Sequence, residues 1–251
     1  MTKQSLLGRN AIVTGGSRGI GAAIALAFAR AGANVAVCHD DDDDGGRLIV
    51  EEIRSLGRIG VAQRCDVADA AALTAFIANS EARLGPTDIL VNNAGVSGET
   101  PFEAIRPDSL DRMLDVHVKA SFRAGQQVYP GMRERRWGRI INIASQLAYK
   151  GAPGLTHYCA AKAALIGFTR ALAHEAAPHN VLVNAIAPGP VDTRLNDTLS
   201  DEYRACKRAQ LPLGRFGKPD EIAPTAVLLA SSDGDYYVGQ TLSPNGGDVM
   251  F

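Results

Sequence analysis

The sequence has few cysteines, no long apolar run and almost no charge imbalance, and each lack excludes a class of protein. Cys38, Cys65, Cys159 and Cys206 form no C-x-x-C pair and stand at no metal-ligand spacing from the five histidines, so neither a disulfide framework nor a metal site is expected. Scattered thiols of this kind fit a cytoplasmic location. Lys and Arg number 26 against 27 Asp and Glu, for a net charge of −1. No global field therefore favours nucleic acid or an anionic membrane. No apolar stretch approaches the roughly 18–20 residues of a membrane span, and Met1 to Leu7 lacks the apolar core of a secretory signal. What is present is 46% hydrophobic residues over 251 positions, ample for a sizeable core and compatible with one domain over residues 1–251.

Short β-branched runs alternate with longer alanine-rich segments. Ala11–Val13, Asn34–Cys38, Ile59–Arg64, Asp88–Val91, Arg139–Ile143, Val181–Ile186 and Gln240–Leu242 read as strands. Gly19–Arg30, Gly45–Leu56, Asp69–Leu84, Asp108–Met132, His157–Ala176 and Pro219–Leu229 read as helices. This order predicts an α/β fold, a Rossmann-type doubly wound parallel sheet of about seven strands with helices on both faces. The strands carry little polar alternation, as befits a sheet covered on both sides. The five consecutive aspartates Asp40–Asp44 read as a solvated loop.

The first strand runs into Thr14-Gly15-Gly16-Ser17-Arg18-Gly19-Ile20-Gly21, which opens the first helix. Glycines leave room for a pyrophosphate to approach backbone N–H groups, and the helix start beneath supplies partial positive charge. The Lys-Ser/Thr pair of a P-loop is missing, which argues against a nucleotidase. Farther on, Tyr158 and Lys162 stand four apart on a predicted helix and share a face. A free phenol titrates near about 10; an ammonium beside it favours the phenolate. Tyr158 is thereby a candidate to give a proton to a carbonyl oxygen, or to take one from an alcohol. Ser145 follows the fifth strand, at the carboxyl end of the sheet, where its hydroxyl can hold the same oxygen.

These features occur in order with Asp66-Val67, Asn92-Asn93-Ala94-Gly95, Pro188-Gly189 and Thr193. Together they resemble the short-chain dehydrogenase/reductase family in its single-domain branch. In style, with Gly-Arg-Phe-Gly-Lys-Pro at 214–219, the chain is most similar to the 3-oxoacyl-[acyl-carrier-protein] reductases. The resemblance implies an NAD(P)-dependent oxidoreductase that moves a hydride between a nicotinamide and a carbonyl or secondary alcohol. It implies Ser145, Tyr158 and Lys162 as catalytic residues, with Tyr158 and Lys162 also touching the cofactor and Lys162 reaching the ribose. Gly15, Ser17, Arg18, Gly19, Ile20 and Gly21 would bind the phosphates. Asp66 and Val67 would hold the adenine edge, and Asn93, Ala94 and Gly95 would end the fourth strand against the cofactor. Pro188, Gly189, Val191 and Thr193 would flank the nicotinamide amide. A homotetramer built on the long helices and the C-terminal segment is a further implication.

One position departs from the family's pattern. Where relatives carry asparagine in the long middle helix, this chain has Asp115-Val116-His117-Val118-Lys119. In the family that asparagine's backbone carbonyl holds a water leading to the lysine; the resemblance implies that histidine, which keeps the carbonyl, can keep the relay, and histidine titrates near neutrality. His117 is therefore expected at the relay position; a packed, hydrogen-bonded histidine is the plainer alternative.

For the cofactor, His39 takes the family's acidic position at the end of the second strand, and Asp40 the next. An aspartate run beside a 2′-phosphate repels it. Arg18 pulls the other way, so the choice between NAD and NADP leans to NAD. On the substrate side, residues 190–216 form a lid candidate with a short helix near Asp201. Val96-Ser97-Gly98, Gln146-Leu147 and Gly189-Pro190 would line the rest of a pocket for a small carbonyl or alcohol. Arg133, Arg135, Arg136 and Arg139 form a basic patch, read as a solvated helix end or as a surface for an acidic acyl-carrier protein. The competing functional reading is a catalytically silent dinucleotide-binding regulator of the same fold. The presence of Ser145, Tyr158 and Lys162 together argues against it.

Overall fold

The computed structural model describes residues 5–193 and 200–250. Its sheet has seven parallel strands: β1 (Asn10–Val13), β2 (Asn34–His39), β3 (Gly60–Arg64), β4 (Ile89–Asn92), β5 (Gly138–Ile143), β6 (Val181–Ile186) and β7 (Thr241–Leu242). Their order is β3-β2-β1-β4-β5-β6-β7. The winding reverses between β1 and β4, which opens a crevice at the carboxyl ends of those strands.

Helices α1 (Gly19–Arg30), α2 (Asp43–Ser55), α3 (Ala70–Leu84), α4 (Pro107–Leu114), α5 (Ala120–Arg135), α6 (Leu147–Lys150), α7 (Thr156–Ala176), α8 (Asp201–Gln210) and α9 (Pro219–Ala230) complete the described chain. Successive strand residues point to opposite faces, and the core divides accordingly. Val13, Val37, Val91 and Ile141, paired across the sheet, pack with α1, α2 and α9 through Ile24, Phe28, Ile49, Ile53 and Leu229. Ile12, Ala36, Leu90 and Ile140 face the other way, onto Leu73, Phe76 and Ile77 of α3 and Val128 and Met132 of α5. Among the described residues no helix is long and apolar enough to cross a membrane.

Three expectations need correction. The aspartate run is not all loop: Asp42 caps α2, its carboxylate accepting from the Gly45 N–H at 3.3 Å, and Asp43 and Asp44 form the first turn. Acids suit that end because the helix dipole is positive there. The long middle helix is not uniform: α4 and α5 are joined by a π-helical turn over Asp115–Lys119. One extra residue in a turn leaves almost no mark on a 3.6-residue hydrophobic period, so the pattern reads as continuous.

The basic patch also dissolves. Arg139 lies in β5, is 1% exposed and pairs with Asp235 at 2.5 Å. Arg135 donates to the Thr87 carbonyl at 2.6 Å and Arg136 to that of Pro178 at 3.2 Å. Of the four arginines, three serve to tie the end of α5 and the start of β5 to their neighbours.

Candidate active site

At the head of the crevice the glycine loop is built to close tolerances. Gly15 has φ +63°, which favours glycine, and a Cβ on Gly21 would lie 2.2 Å from the Gly15 carbonyl oxygen. The two strand ends brace this loop reciprocally. The Thr14 hydroxyl accepts from the N–H groups of Asn93 and Ala94, both at 3.0 Å, and the Asn93 amide donates back to the carbonyls of Thr14 and Gly15. Asn93 thus braces the loop through its side chain while also lining the cavity. The start of α1 has no side-chain cap and no acid in its first turn, and Gly19, Ile20 and Gly21 line the cavity. Uncapped N–H groups facing open space, with no Cβ in the way at Gly19, fit a pyrophosphate. Thr193 reaches back over this point, its methyl 3.4 Å from where a Gly19 Cβ would stand.

The cavity, about 1150 Å³, continues from this loop to both sides. On the side of β2 and β3 it is lined by His39, Asp40, Asp41, Asp66 and Val67. His39 is buried and its ring turns under α2: the Asp42 N–H lies 3.3 Å from Nδ1, and a Cβ on Gly46 would be 2.7 Å from the ring. Arg18 pairs with Asp41 at 3.2 Å and lies 3.7 Å from Asp42. Sequence reasoning missed Arg112 of α4, which donates to Asp66 at 2.7 Å and stands 3.9 Å from Asp40. Burial is the largest single influence on the Asp66 carboxyl and pushes it up, but the Arg112 guanidinium and the Ala68 N–H together outweigh burial and hold it below the usual carboxylate range. Nothing in the sequence marks Arg112, because 46 residues separate it from Asp66.

At the centre, Ser145, Tyr158, Lys162 and His117 come together around the cavity with Gly95, Pro188, Gly189 and Val191. Ser145 ends the loop after β5; its oxygen accepts from the Leu147 N–H at 3.1 Å and its hydroxyl also bonds Tyr158. The Lys162 ammonium is buried, donates to the Ile143 carbonyl at 2.7 Å and lies 5.7 Å from the Tyr158 ring centre. Gly189 is pressed against Asn245, where a Cβ would approach the backbone to 2.6 Å.

The electrostatics differ from the expectation of a phenol acidified by its lysine. Burial pushes Tyr158 up to about 12, with the Ser145 hydrogen bond pulling the other way, and pushes Lys162 down to about 7. A dry environment penalises both charged forms, so the neutral phenol is the resting state. His117 is likewise no neutral-pH titrator. It is 1% exposed, and burial, reinforced by the charge of Lys162, lowers it to about 3. Its Nε2 lies 2.8 Å from the Val96 carbonyl, its ring meets Tyr158 edge-on at 5.6 Å, and Nδ1 is buried without a partner. Its own carbonyl accepts from the Ser121 hydroxyl at 2.7 Å. His117 lies within the π-helical turn, where it and Val116 are the buried residues.

The family model for enoyl-(acyl carrier protein) reductase matches residues 15–248. The chain is 39% identical over 242 residues to the 3-oxoacyl-[acyl-carrier-protein] reductase FabG of Staphylococcus aureus, covering 96% of this chain and 98% of that protein. It is 41% identical over 246 residues to the acetoacetyl-CoA reductase of Shinella zoogloeoides, covering 97% and 100%. A blue fluorescent protein from a metagenomic library, solved in complex with NADPH, superposes with a TM-score of 0.93 at 36% identity, covering 98% of this chain and 100% of that one. The chain belongs to the short-chain dehydrogenase/reductase family and is an NAD(P)-dependent oxidoreductase.

Proposed function

We propose that the protein reduces a ketone carbonyl to a secondary alcohol, with Tyr158 as proton donor, Ser145 holding the carbonyl oxygen, and Lys162 positioning the cofactor ribose. The observation that carries this reading is the Tyr158 hydroxyl, hydrogen-bonded to Ser145 and enclosed beside Lys162 and His117 in the cavity that the glycine loop opens. The nicotinamide supplies the hydride when bound. The protein's own residues supply a proton at the Tyr158 oxygen, a hydrogen bond from Ser145 to the developing alkoxide, and a site that excludes water. Gly15, Ser17, Arg18, Gly19, Ile20 and Gly21 cradle the pyrophosphate, Asp66 and Val67 hold the adenine, and Pro188, Gly189, Val191 and Thr193 flank the carboxamide. A 3-oxoacyl thioester is the substrate class favoured by the likeness to the Staphylococcus aureus and Shinella zoogloeoides enzymes. Steady-state consumption of reduced cofactor across 3-oxoacyl thioesters and simple ketones tests the reading. Absence of turnover with every carbonyl would leave the silent regulator in its place.

We further propose a preference for NAD(H) over NADP(H). Asp40 and Asp41 line the cavity on the side of β2 and β3, and Arg18 is engaged by Asp41. That exposed pair is worth about 0–1 kcal/mol, so it orients Arg18 without locking it, while the carboxylates repel a 2′-phosphate. Asp41→Ser removes one repulsion and releases Arg18. The kcat/KM ratio of NADPH to NADH should rise by about tenfold; an unchanged ratio would contradict this assignment.

A homotetramer is proposed as the working assembly. Phe122 of α5 is 47% exposed and stacks on Phe168 of α7 at 4.7 Å, an apolar pair suited to a helix-on-helix contact with another copy. Sedimentation should give a species of four chains, and Phe122→Asp should shift it to smaller ones.

A further inference from the structure

Beyond the reacting centre, α6, α8 and the C-terminal segment converge on one carboxylate. Asp248, whose side chain is 5% exposed, accepts from Lys150 of α6 at 2.8 Å and from Lys207 of α8 at 2.8 Å. It also accepts from the side-chain amide of Gln146. Two ammonium groups thus share one acid. Lys207 is itself mostly enclosed, its side chain 14% exposed, and both lysines line the cavity. Glu99, exposed, is the acid among the described residues lining this end. Gln146 is 3% exposed, and its Oε1 is buried with no partner while the residue lines the cavity. A buried acceptor left unmatched is costly and invites a donor from a ligand.

The cluster is close to the chemistry. Gln146 follows Ser145 directly, and α6 places Lys150 one turn further on, roughly 6–8 Å along the chain at 1.5 Å per residue. Ser145, Tyr158, Gln146, Lys150 and Lys207 all line the one cavity.

We propose that Lys150 and Lys207, held by Asp248, form an anion-binding subsite, so that the preferred carbonyl substrate carries a carboxylate or phosphate, with Gln146 Oε1 accepting from a substrate hydroxyl or amide. This rests on the carbonyl-reductase reading and adds its specificity. The two ammonium groups attract the anion, and the partly dry setting makes that attraction stronger than at an open surface. Neither lysine touches the reacting atoms; they select and orient. The part was invisible in the sequence, since Gln146 and Asp248 are 102 residues apart.

The test compares kcat/KM within two matched pairs: acetoacetate against methyl acetoacetate, and acetoacetyl-CoA against the phosphate-free acetoacetyl-N-acetylcysteamine. The full chain with its cofactor should prefer the anionic member of at least one pair by about tenfold or more, as a charged hydrogen bond implies. A preference in the first pair assigns the anion to the substrate's own carboxylate; in the second alone, to the phosphates of a carrier arm. Lys207→Met should reduce the preference by about tenfold, acting mainly on KM, and Lys207→Arg should retain it. Equal use of both members in both pairs by the unmodified protein would overturn the subsite, as would a Lys207→Met variant that loses both members alike. Turnover of the neutral members shows separately that the carbonyl-reductase reading stands.

Discussion

Replacing Tyr158 with phenylalanine should lower kcat for ketone reduction by about 10²–10⁴-fold, the usual worth of a positioned proton donor, while cofactor affinity stays within about twofold. The ring keeps its packing against His117 and only the hydroxyl is lost. A fall in kcat without a rise in KM is the signature of an interaction made in the transition state. The direction of the pH dependence follows from the phenol. Burial raises Tyr158 to about 12, so it remains protonated and able to donate through the neutral range. Alcohol oxidation needs the phenolate, and its rate should climb as pH rises toward that value. Lys162, lowered to about 7 by burial, carries its charge only below that pH. A variant as fast as the parent in both directions would remove Tyr158 from the mechanism.

His117→Asn should make the protein markedly more resistant to acid. Histidine in an unfolded chain titrates near its ordinary 6.5, whereas in the folded protein it is lowered to about 3. Between those values the unfolded state binds the additional proton. The associated stability is fully present above 6.5 and is lost as pH falls from there toward 3. At about 1.36 kcal/mol per unit, the loss reaches on the order of 3 kcal/mol at pH 4, large against typical total stabilities of about 5–15 kcal/mol. Asparagine does not titrate and has no ring nitrogen to protonate in the dry space beside Tyr158 and Lys162. Urea titrations at pH 7 and pH 4 should show the parent losing more stability than the variant by roughly this amount. Parallel losses would mean that His117 is protonated while the protein is still folded.

The layers of the fold were legible because local signals agree with the global arrangement. Strands with few polar positions, such as Val35–Cys38 and Ile140–Ile143, declare a sheet buried on both faces. The Thr14–Gly21 loop sits where strand meets helix, and the Tyr158/Lys162 spacing places both on one helical face. Less legible were features made by distance or by environment. The ion pair of Arg112 with Asp66 and the sharing of Asp248 by Lys150 and Lys207 join residues remote in the chain. The π-helical turn at Asp115–Lys119 hides inside a helical pattern. The protonation of Tyr158, Lys162 and His117 is set by how dry their surroundings are, which residue types alone do not reveal. His117 shows the difference well: its identity suggests a switch near neutrality, and its burial removes one.

Single-turnover mixing of the protein loaded with reduced cofactor against an acetoacetyl thioester bears most directly on the central claim that this crevice reduces carbonyls. Loss of the reduced-nicotinamide absorbance, with one equivalent of 3-hydroxy product per bound cofactor, is the expected result. Cofactor that stays bound and reduced against every ketone offered would contradict the account.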